Sequence, residues 1–512
     1  MGLAMAASLI VPSGVVAGLG LASSSSPAGA AVTPQIASND GSVFVPIQPC
    51  RLIDTVSGSG YTDNGQTLVP GDESITTPDL HHACGNQVPK TRDLDAIVIN
   101  LTAVNPTSSG FLTAYGAGQQ RPLTSTVNFI AGQTIANEAT IATTEKNDSG
   151  TDACCTEGYG GEITIDNWQG STDVIVDVQG YYTSDYLATD DSTSSPGSDI
   201  VNNGGLYYPL APARVADTRS DSGYQDENET LGPQSQINFL AGDEPNLPGG
   251  TVPVHTVAVV LNVTAINPTA ASFLTVWGNG TTQPFTSNLN FPAGTTIANR
   301  VIVPVASNGQ VSILNWAGTV NVAVDIDGYF ANAPTELPGF CADNSVTAGT
   351  PSNDDGTCDG AAYYPLVTPE RIADTRVGST YEDSSQVIHG GEYDTVAVPV
   401  DVFGPFNAFD LGDTDFAPED FVAADINATV TDTTDSSYLT LYPSDTELAI
   451  PQASDINWVP GDIISNGDIV STGTSAPFTS FQAFNYAGTT DLVIDLYGYF
   501  GPPQEATVAP PP

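Results

Sequence analysis

The sequence predicts an all-β protein that consists of three tandem antiparallel β-sandwich modules of immunoglobulin-like or jelly-roll type. The prediction rests on two motifs that each occur three times in the 512 residues, with short strand-like runs between them. The opening motif Arg-x-x-Asp-Thr and the closing motif Asp-x-x-Gly-Tyr-(Phe/Tyr) begin, in turn, at Arg51 and Asp177, Arg214 and Asp325, and Arg371 and Asp495. A β-trefoil is the weaker alternative, because no threefold repeat is visible inside a module.

The motifs and the composition between them define the predicted domains. Two stretches rich in Asp, Ser, Thr and Gly follow the first two closing motifs and are typical of linkers. The predicted boundaries are a signal peptide at 1–31, modules at 44–183, 206–331 and 361–501, linkers at 184–205 and 332–360, and a Pro-rich tail at 502–512. We call the three modules repeats one, two and three. Because each repeat owns both motifs, the sequence predicts that each folds independently.

The strand runs are clearest in repeat two, where apolar residues alternate with polar ones. Val259, Leu261 and Val263 alternate with Asn262 and Thr264, and the same alternation recurs in the other repeats. A period of two places the apolar residues on one face of a strand and the polar residues on the other. The runs with this β-strand character in repeat two are 256–264, 272–277, 287–291, 299–304, 311–316 and 320–330.

The charge balance excludes one class of partner. The chain has 10 Lys and Arg residues and 58 Asp and Glu residues, a formal net charge of −48. Such a chain repels nucleic acids and anionic lipid headgroups. We therefore expect no nucleic-acid partner.

The first 31 residues predict export. They are apolar and end in the small-residue run Ala28-Gly-Ala-Ala31, as expected of a signal-peptide cleavage site. Pro12 and Gly14 interrupt the apolar run, and no later stretch is apolar enough to cross a bilayer. The predicted location is therefore secreted or at the extracellular cell surface, with no membrane span after removal of the signal.

In an exported chain, the six cysteines are expected to form disulfides. Cys341 and Cys358 bracket the second linker and are predicted to close it. Cys50 of the first opening motif is predicted to pair with Cys84. The partners of the adjacent Cys154 and Cys155 stay open, because neighbouring cysteines rarely have the separation that a disulfide needs.

Five of the ten basic residues lie in the opening motifs, and we expect them to form internal Arg–Asp networks. The closing-motif aspartates are the natural partners, because an unpaired carboxylate within an apolar strand is costly. A weaker alternative is the capture of an anion by the arginines. The predicted network residues are Arg51, Asp54, Asp177, Arg214, Asp217, Arg219, Asp325, Arg371, Asp374, Arg376 and Asp495.

No cofactor or metal centre is predicted. Calcium is considered for one acidic loop of repeat three, but the loop lacks the spacing of a calcium-binding loop. The acidic residues of this loop are Asp410, Asp413, Asp415, Glu419 and Asp420. The chain carries no metalloprotease, nucleophile-elbow or phosphate-loop motif, so no catalytic residue is assigned and a non-enzymatic role is favoured.

These residues resemble a secreted repeat found in actinobacteria and other soil and aquatic bacteria. That repeat opens with Pro-Cys-Arg-x-x-Asp-Thr-Arg and closes with Asp-x-x-Gly-Tyr-Phe, and the resemblance covers nearly all of residues 44–500. It implies export and a modular β fold, and the family has no established activity. Repeat one departs at Val56, where the second Arg is lost, and repeats two and three lack the Cys50 and Cys84 pair.

The three equivalent repeats predict a structural or adhesive protein at the cell surface, with binding of an extracellular glycan or cell-wall polymer as the expected contact. Repetition of the same polar residues suits scaffolding or multivalent binding. The alternative is a secreted polysaccharide hydrolase with its site in repeat three, where an insertion spans 403–421. The sequence leaves the oligomeric state open.

Overall fold

The structure is a computed structural model of the full chain. It describes residues between 41 and 501, apart from gaps at 62–64, 71–74, 77–79, 86, 89–93, 144–161, 185–203, 243, 248–249, 254–255, 332–359, 382, 398–421, 445–449 and 474–479. The predicted signal peptide, the Pro-rich tail, most of both linkers, the acidic loop and Cys154, Cys155, Cys341 and Cys358 lie outside the described residues.

The described residues form strands and one helical turn, and the elements recur in the same order in each repeat. Repeat one contains β1 (Val43–Asp54), β2 (Ile75–Thr76), α1 (Leu80–Ala83), β3 (Leu94–Val104), β4 (Gly110–Gly116), β5 (Val127–Phe129), β6 (Ile135–Ala142), β7 (Ile163–Asn167) and β8 (Asp173–Thr183). Repeat two contains β9 (Leu206–Asp217), β10 (Ser235–Leu240), β11 (Glu244–Leu247), β12 (Gly250–Val252), β13 (Thr256–Ile266), β14 (Ser272–Gly278), β15 (Leu289–Phe291), β16 (Ile297–Pro304), β17 (Gln310–Asn315) and β18 (Asn321–Ala331). Repeat three contains β19 (Ala362–Asp374), β20 (Ile388–His389), β21 (Glu392–Ala397), β22 (Ala423–Thr431), β23 (Ser437–Pro443), β24 (Ile456–Trp458), β25 (Ile464–Ser471), β26 (Ser480–Asn485) and β27 (Thr489–Gly501).

Each repeat builds two larger antiparallel sheets from these strands; repeat two adds the two-stranded sheet β11-β12, and β20 of repeat three pairs with the start of β27. The long sheet joins the opening and closing strands to two others, in the orders β1-β8-β3-β6, β9-β18-β13-β16 and β19-β27-β22-β25. The short sheet has the orders β2-β7-β4-β5, β10-β17-β14-β15 and β21-β26-β23-β24. The opening and closing motifs are therefore neighbouring strands of one sheet, with Arg51, Arg214 and Arg371 directly opposite Asp177, Asp325 and Asp495.

The six larger sheets follow one another around a central axis. The edge strands β6, β16 and β25 of the long sheets contact each other at this axis. The edge strands of the short sheets close the gaps, since β5 contacts β6 and β25, β24 contacts β25 and β16, and β15 contacts β16 and β6. Within the described part of the chain, the six sheets are thus the blades of a six-bladed β-propeller, two blades from each repeat.

The prediction of three tandem β-sandwich modules is therefore wrong, and so is the β-trefoil alternative. The chain is all-β as predicted, but the predicted polar faces of its central strands are not surfaces of separate modules. Strand β3 is buried along almost its whole length, and its polar residues Asn100 and Thr102 are as inaccessible as its apolar ones. A period of two shows which residues share a face, but it does not show that the polar face meets solvent.

Hydrogen bonds between repeats satisfy the asparagine side chains of these buried polar faces. Asn100 of repeat one donates to the carbonyl of Ser287 in repeat two at 2.5 Å, and its own Oδ1 accepts from Asn299 at 2.9 Å. The same two bonds join Asn262 of repeat two to Ser454 and Asn466 of repeat three, and Asn427 of repeat three to Ser125 and Asn137 of repeat one. The three repeats therefore meet at three equivalent boundaries, which we call 1/2, 2/3 and 3/1.

One end of the axis is closed by six aromatic side chains from the opening and closing strands. All six are fully buried and each contacts at least two of the others, with ring centroids 4.2 to 6.3 Å apart: Phe44, Tyr182, Tyr207, Phe330, Tyr363 and Phe500. Backbone bridges also tie the starts of β1, β9 and β19 together in a triangle. Because the three repeats share this core within one compact unit, we expect that they do not fold as independent modules.

Arg300 on β16 lies fully buried near the axis. It donates to Glu138 of repeat one at 3.1 Å and to Asp425 of repeat three at 2.6 Å, so one side chain links all three repeats. Glu138 and Gly467 occupy the same position as Arg300 in the other repeats, directly after the shared asparagine. This buried charge network breaks the threefold symmetry of the core.

Candidate ligand grooves at the repeat boundaries

The arginine of each opening motif lies between two aspartates of its own repeat. Arg214 donates to both carboxylate oxygens of Asp325, at 2.6 and 3.0 Å, and to Asp217 at 3.0 Å. The same network forms around Arg51 with Asp177 and Asp54, and around Arg371 with Asp495 and Asp374. The guanidinium donors are thus largely occupied by the protein's own carboxylates, which leaves little capacity for capturing an external anion.

Each closing-motif aspartate also contributes to a repeat boundary. Asp325 accepts the backbone N–H of Ser454 at 3.3 Å, and Asp495 accepts that of Ser125 at the same distance. Burial raises the pKa of Asp325, Asp177 and Asp495, while the paired arginines oppose that rise. The arginine network therefore holds both the repeat and its contact with the next repeat.

A second arginine covers the outer aspartate in repeats two and three. Arg219 contacts Asp217 at 2.5 Å, and Arg376 contacts Asp374 at 2.5 Å, whereas repeat one has Val56 at this position. Burial acts to raise the pKa of Asp217 and Asp374, but the arginine contacts outweigh it and hold both values below the ordinary range. The side chain of Arg219 is 47% exposed and borders a groove.

This groove has a volume of about 910 Å³ and runs along boundary 2/3. Repeat two supplies Arg214, Asp217 and Arg219, and repeat three supplies Tyr438 and Tyr486. The two tyrosine rings are stacked with centroids 4.8 Å apart, and Tyr486 is 58% exposed. An exposed aromatic face beside charged and hydroxyl groups can bind a ligand that is apolar on one side and polar on its edge.

Equivalent stacked pairs stand in the other repeats. Phe111 stacks on Trp168 at 5.5 Å, and Phe273 stacks on Trp316 at 5.4 Å, and both tryptophans are exposed. At boundary 3/1, Arg371 donates a hydrogen bond to the carbonyl of Leu123 in repeat one at 3.4 Å. Arg214 likewise lies at a boundary, where it lines the groove together with residues of repeat three. Each repeat therefore carries a stacked aromatic pair, and at boundary 2/3 the pair of repeat three lines one groove with Arg214 and Arg219 of repeat two.

The aromatic pairs were missed as site residues by the sequence reasoning. The positions Asn167-Trp168, Asn315-Trp316 and Asn485-Tyr486 match in the sequence, but an aromatic residue at the end of a strand is usually core. Here the asparagine side chain is buried and bonds the backbone of the turn that follows, which leaves the aromatic ring outside. The recurrence of an asparagine followed by an aromatic residue in all three repeats is the sequence signal that could have identified these aromatic residues as candidate site residues.

The disulfide between Cys50 and Cys84 is confirmed. It joins β1 to the helical turn α1 and exists in repeat one alone among the described residues. The predicted Cys341–Cys358 bond falls on residues that are not described.

The described residues contain no group of three or more histidine, cysteine or acidic side chains that could hold a metal ion. No helix among them is long and apolar enough to cross a membrane. In the groove, Asp217 has a lowered pKa, whereas a general acid for glycoside hydrolysis needs a raised one. Asp217 is therefore unsuited to the role of general acid.

The fold and the grooves define the class as a six-bladed β-propeller with clefts between its repeats. No family model and no curated protein matches the chain. Among solved structures, the chain is similar to a protein in the atomic structure of Sulfolobus Turreted Icosahedral Virus, with 10% identity, 85% of this chain and 86% of that chain covered, and a TM-score of 0.14. It is also similar to the 11S allergen from Cocos nucifera L., with 8% identity, coverage of 59% and 94%, and a TM-score of 0.15.

Proposed function

We propose that this chain is an exported structural and adhesive protein, secreted or held at the cell surface, whose boundary grooves bind an extracellular glycan or cell-wall polymer. The observation that carries the proposal is the stacked pair of Tyr438 and the exposed Tyr486 beside the Arg–Asp network in the groove at boundary 2/3. The face of a pyranose ring presents C–H groups that pack on an aromatic ring, and its edge presents hydroxyls that bond to Asp, Arg and Ser.

A neutral polysaccharide suits these grooves better than an acidic one. Arg214 and Arg219 are already paired with Asp325 and Asp217, so little net positive charge faces the groove. The formal net charge of −48 also repels an anionic polymer at long range. We therefore expect binding to neutral glycans that changes little with added NaCl.

Three stacked aromatic pairs on one propeller favour multivalent attachment. Sites that share one molecule act at a high effective concentration, so weak individual affinities add up to stable adhesion when the polymer spans them. The alternative of a polysaccharide hydrolase relies on the insertion at 403–421, which lies outside the described residues.

The test is binding of the full chain to an array of neutral and acidic polysaccharides, followed by titration of the best neutral probe. Tyr486→Ala should weaken that binding about fivefold at its site, because loss of a stacking contact costs on the order of 1 kcal/mol. Val459→Ala removes another exposed apolar side chain of repeat three and should leave binding unchanged.

Absence of binding to every probe, or equal binding by the Tyr486→Ala and wild-type chains, would contradict the glycan site. Detection of the chain in the culture medium or on intact cells tests export separately. A chain found only inside the cell would overturn that part of the proposal.

A further inference from the structure

Boundary 2/3 buries three carboxyl groups that belong to no Arg–Asp network described above. Asp327 on β18, Asp455 just before β24 and Asp468 on β25 are 3%, 1% and 5% exposed. Among the described residues, neither carboxylate oxygen of Asp327 has a hydrogen-bond partner, and Oδ1 of Asp455 has none. Oδ2 of Asp455 accepts the backbone N–H of Leu441 at 2.5 Å. Unpaired buried carboxylates are costly, so this cluster requires an explanation.

The equivalent positions at the other two boundaries are neutral. At boundary 3/1, Tyr497 takes the place of Asp327 and Thr126 that of Asp455, and their hydroxyl oxygens lie 3.1 Å apart. At boundary 1/2 the two places hold Gln179 and Asn288. Asp468 is the second residue after the shared asparagine of β25, and the same position holds Ala139 on β6 and Val301 on β16. Boundary 2/3 thus differs from its counterparts by three acidic side chains.

The surrounding charged groups do not balance this cluster. The positive charge of Arg300 opposes the rise in the pKa of Asp327 and Asp468. The guanidinium group of Arg300, however, already donates hydrogen bonds to Glu138 and Asp425. Asp325 also faces the cluster but is held by Arg214. The Tyr207 hydroxyl, which faces Asp327 and Asp468, donates to the backbone carbonyl of Asp327 rather than to its carboxylate.

Protons are the neutralising agent that fits this arrangement. The described residues offer no metal-binding group of three acidic side chains. Burial raises the pKa of Asp468 to about 7, and burial together with the neighbouring carboxylates raises the pKa of Asp327 and Asp455 well above the ordinary range. Interacting carboxyl groups in a dry site release their protons stepwise at higher pH than isolated ones.

We propose that boundary 2/3 is a pH-sensitive joint, closed while Asp327, Asp455 and Asp468 carry protons and loosened when they lose them, whereas boundaries 1/2 and 3/1 stay closed. The folded chain binds these protons more tightly than the unfolded chain does. The stabilisation is therefore complete below the ordinary aspartate pKa of about 4 and is lost as the pH rises through the folded-state values. The proposal is independent of any ligand in the groove.

Hydrogen exchange of the full chain, read by mass spectrometry, compares the three boundaries within one molecule. Between pH 5 and pH 8, after correction for intrinsic exchange, protection of 456–471 should fall at least about tenfold, because each such carboxyl changes the opening constant by up to tenfold per pH unit. The equivalent segments 127–142 and 289–304 are the internal controls and should keep their protection. An equal response in all three segments would overturn the proposal.

Two variants separate the cluster from other causes. The double substitution Asp327→Tyr with Asp455→Thr installs the pair found at boundary 3/1 and should remove most of the pH response. Asp327→Asn, which keeps the size of the side chain, should reduce it and serves if the double variant does not fold. Asp435→Asn removes an exposed carboxyl of repeat three and should leave the response intact.

An undiminished response in Asp327→Asn and in any folded double variant would contradict the proposal. A second arm repeats the exchange at pH 8 with EDTA and then with CaCl₂. Protection that EDTA abolishes and CaCl₂ restores would assign the cluster to a bound cation and would equally overturn neutralisation by protons.

Discussion

Arg214 illustrates how single residues hold this fold. Its guanidinium bonds two aspartates of repeat two, and one of them, Asp325, also accepts a backbone N–H from repeat three. One side chain therefore supports both the long sheet of its own repeat and the boundary with the next. A buried ion pair adds little net stability over an apolar substitute, but removal of one partner leaves the other charged and unpaired.

We expect Arg214→Met to destabilise the protein by about 3 to 5 kcal/mol, because Asp325 would remain buried without its cation. Guanidinium denaturation followed by circular dichroism measures the loss. Arg219→Met is the matched control, since that side chain is 47% exposed and its ion pair is screened by solvent, so it should cost less than about 1 kcal/mol. Equal effects of the two substitutions would show that the inner network has no special role.

At the scale of the element, the closing strand explains why its motif contains glycine. Gly328 on β18 lies directly against the ring of Tyr207 on the neighbouring strand, and Gly180 and Gly498 meet Phe44 and Tyr363 in the same way. A side chain on any of these glycines would displace an aromatic residue of the axial cluster. The Gly-Tyr-(Phe/Tyr) motif is therefore a packing requirement, with glycine making room for one ring while the last residue supplies another.

Gly328→Ala should destabilise the chain by about 1 to 3 kcal/mol, as overpacking of a tight core does. Gly232→Ala is the comparison, because its added carbon would approach no atom closer than 3.8 Å. Thermal unfolding of both variants gives the measurement. If Gly328→Ala melted like the wild type, the aromatic cluster would have to be looser than the contacts show.

At the scale of the whole molecule, the propeller is closed by contacts between repeats. Each boundary contains the same asparagine bonds, and the aromatic cluster and the Arg300 network need all three repeats. Removal of one repeat would take away two rings of the aromatic cluster and expose the buried rings that remain to water, which is unfavourable.

The full chain should therefore unfold in one cooperative transition, with a calorimetric enthalpy close to the van't Hoff enthalpy. Differential scanning calorimetry at pH 5, where boundary 2/3 is closed, tests this. Residues 206–331 expressed alone should lack the cooperative transition, because both of their boundary surfaces would be exposed. Three separate transitions in the full chain would instead support independently folding modules.

The sequence determined several features by itself, because they depend on local pattern and on pairing within one repeat. The repeated motifs and the strand runs predict three all-β repeats, and opposite charges at Arg51 and Asp177 predict their proximity once the two motifs form neighbouring strands. The prediction that Cys50 pairs with Cys84 also depends on residues of a single repeat. In each case the information lies within about one repeat of the chain.

Only the tertiary structure decided how the repeats meet. A strand such as β3, with Asn100 on its polar face, has the same pattern whether that face meets water or another polar strand, since hydrogen bonds satisfy it equally in both places. The propeller, the grooves beside Tyr486 and the acidic cluster around Asp327 all arise at boundaries between segments more than a hundred residues apart. Periodicity describes one strand at a time and carries no information on such contacts. The pattern therefore predicted the strands, and the packing of buried polar faces decided how their sheets form a ring.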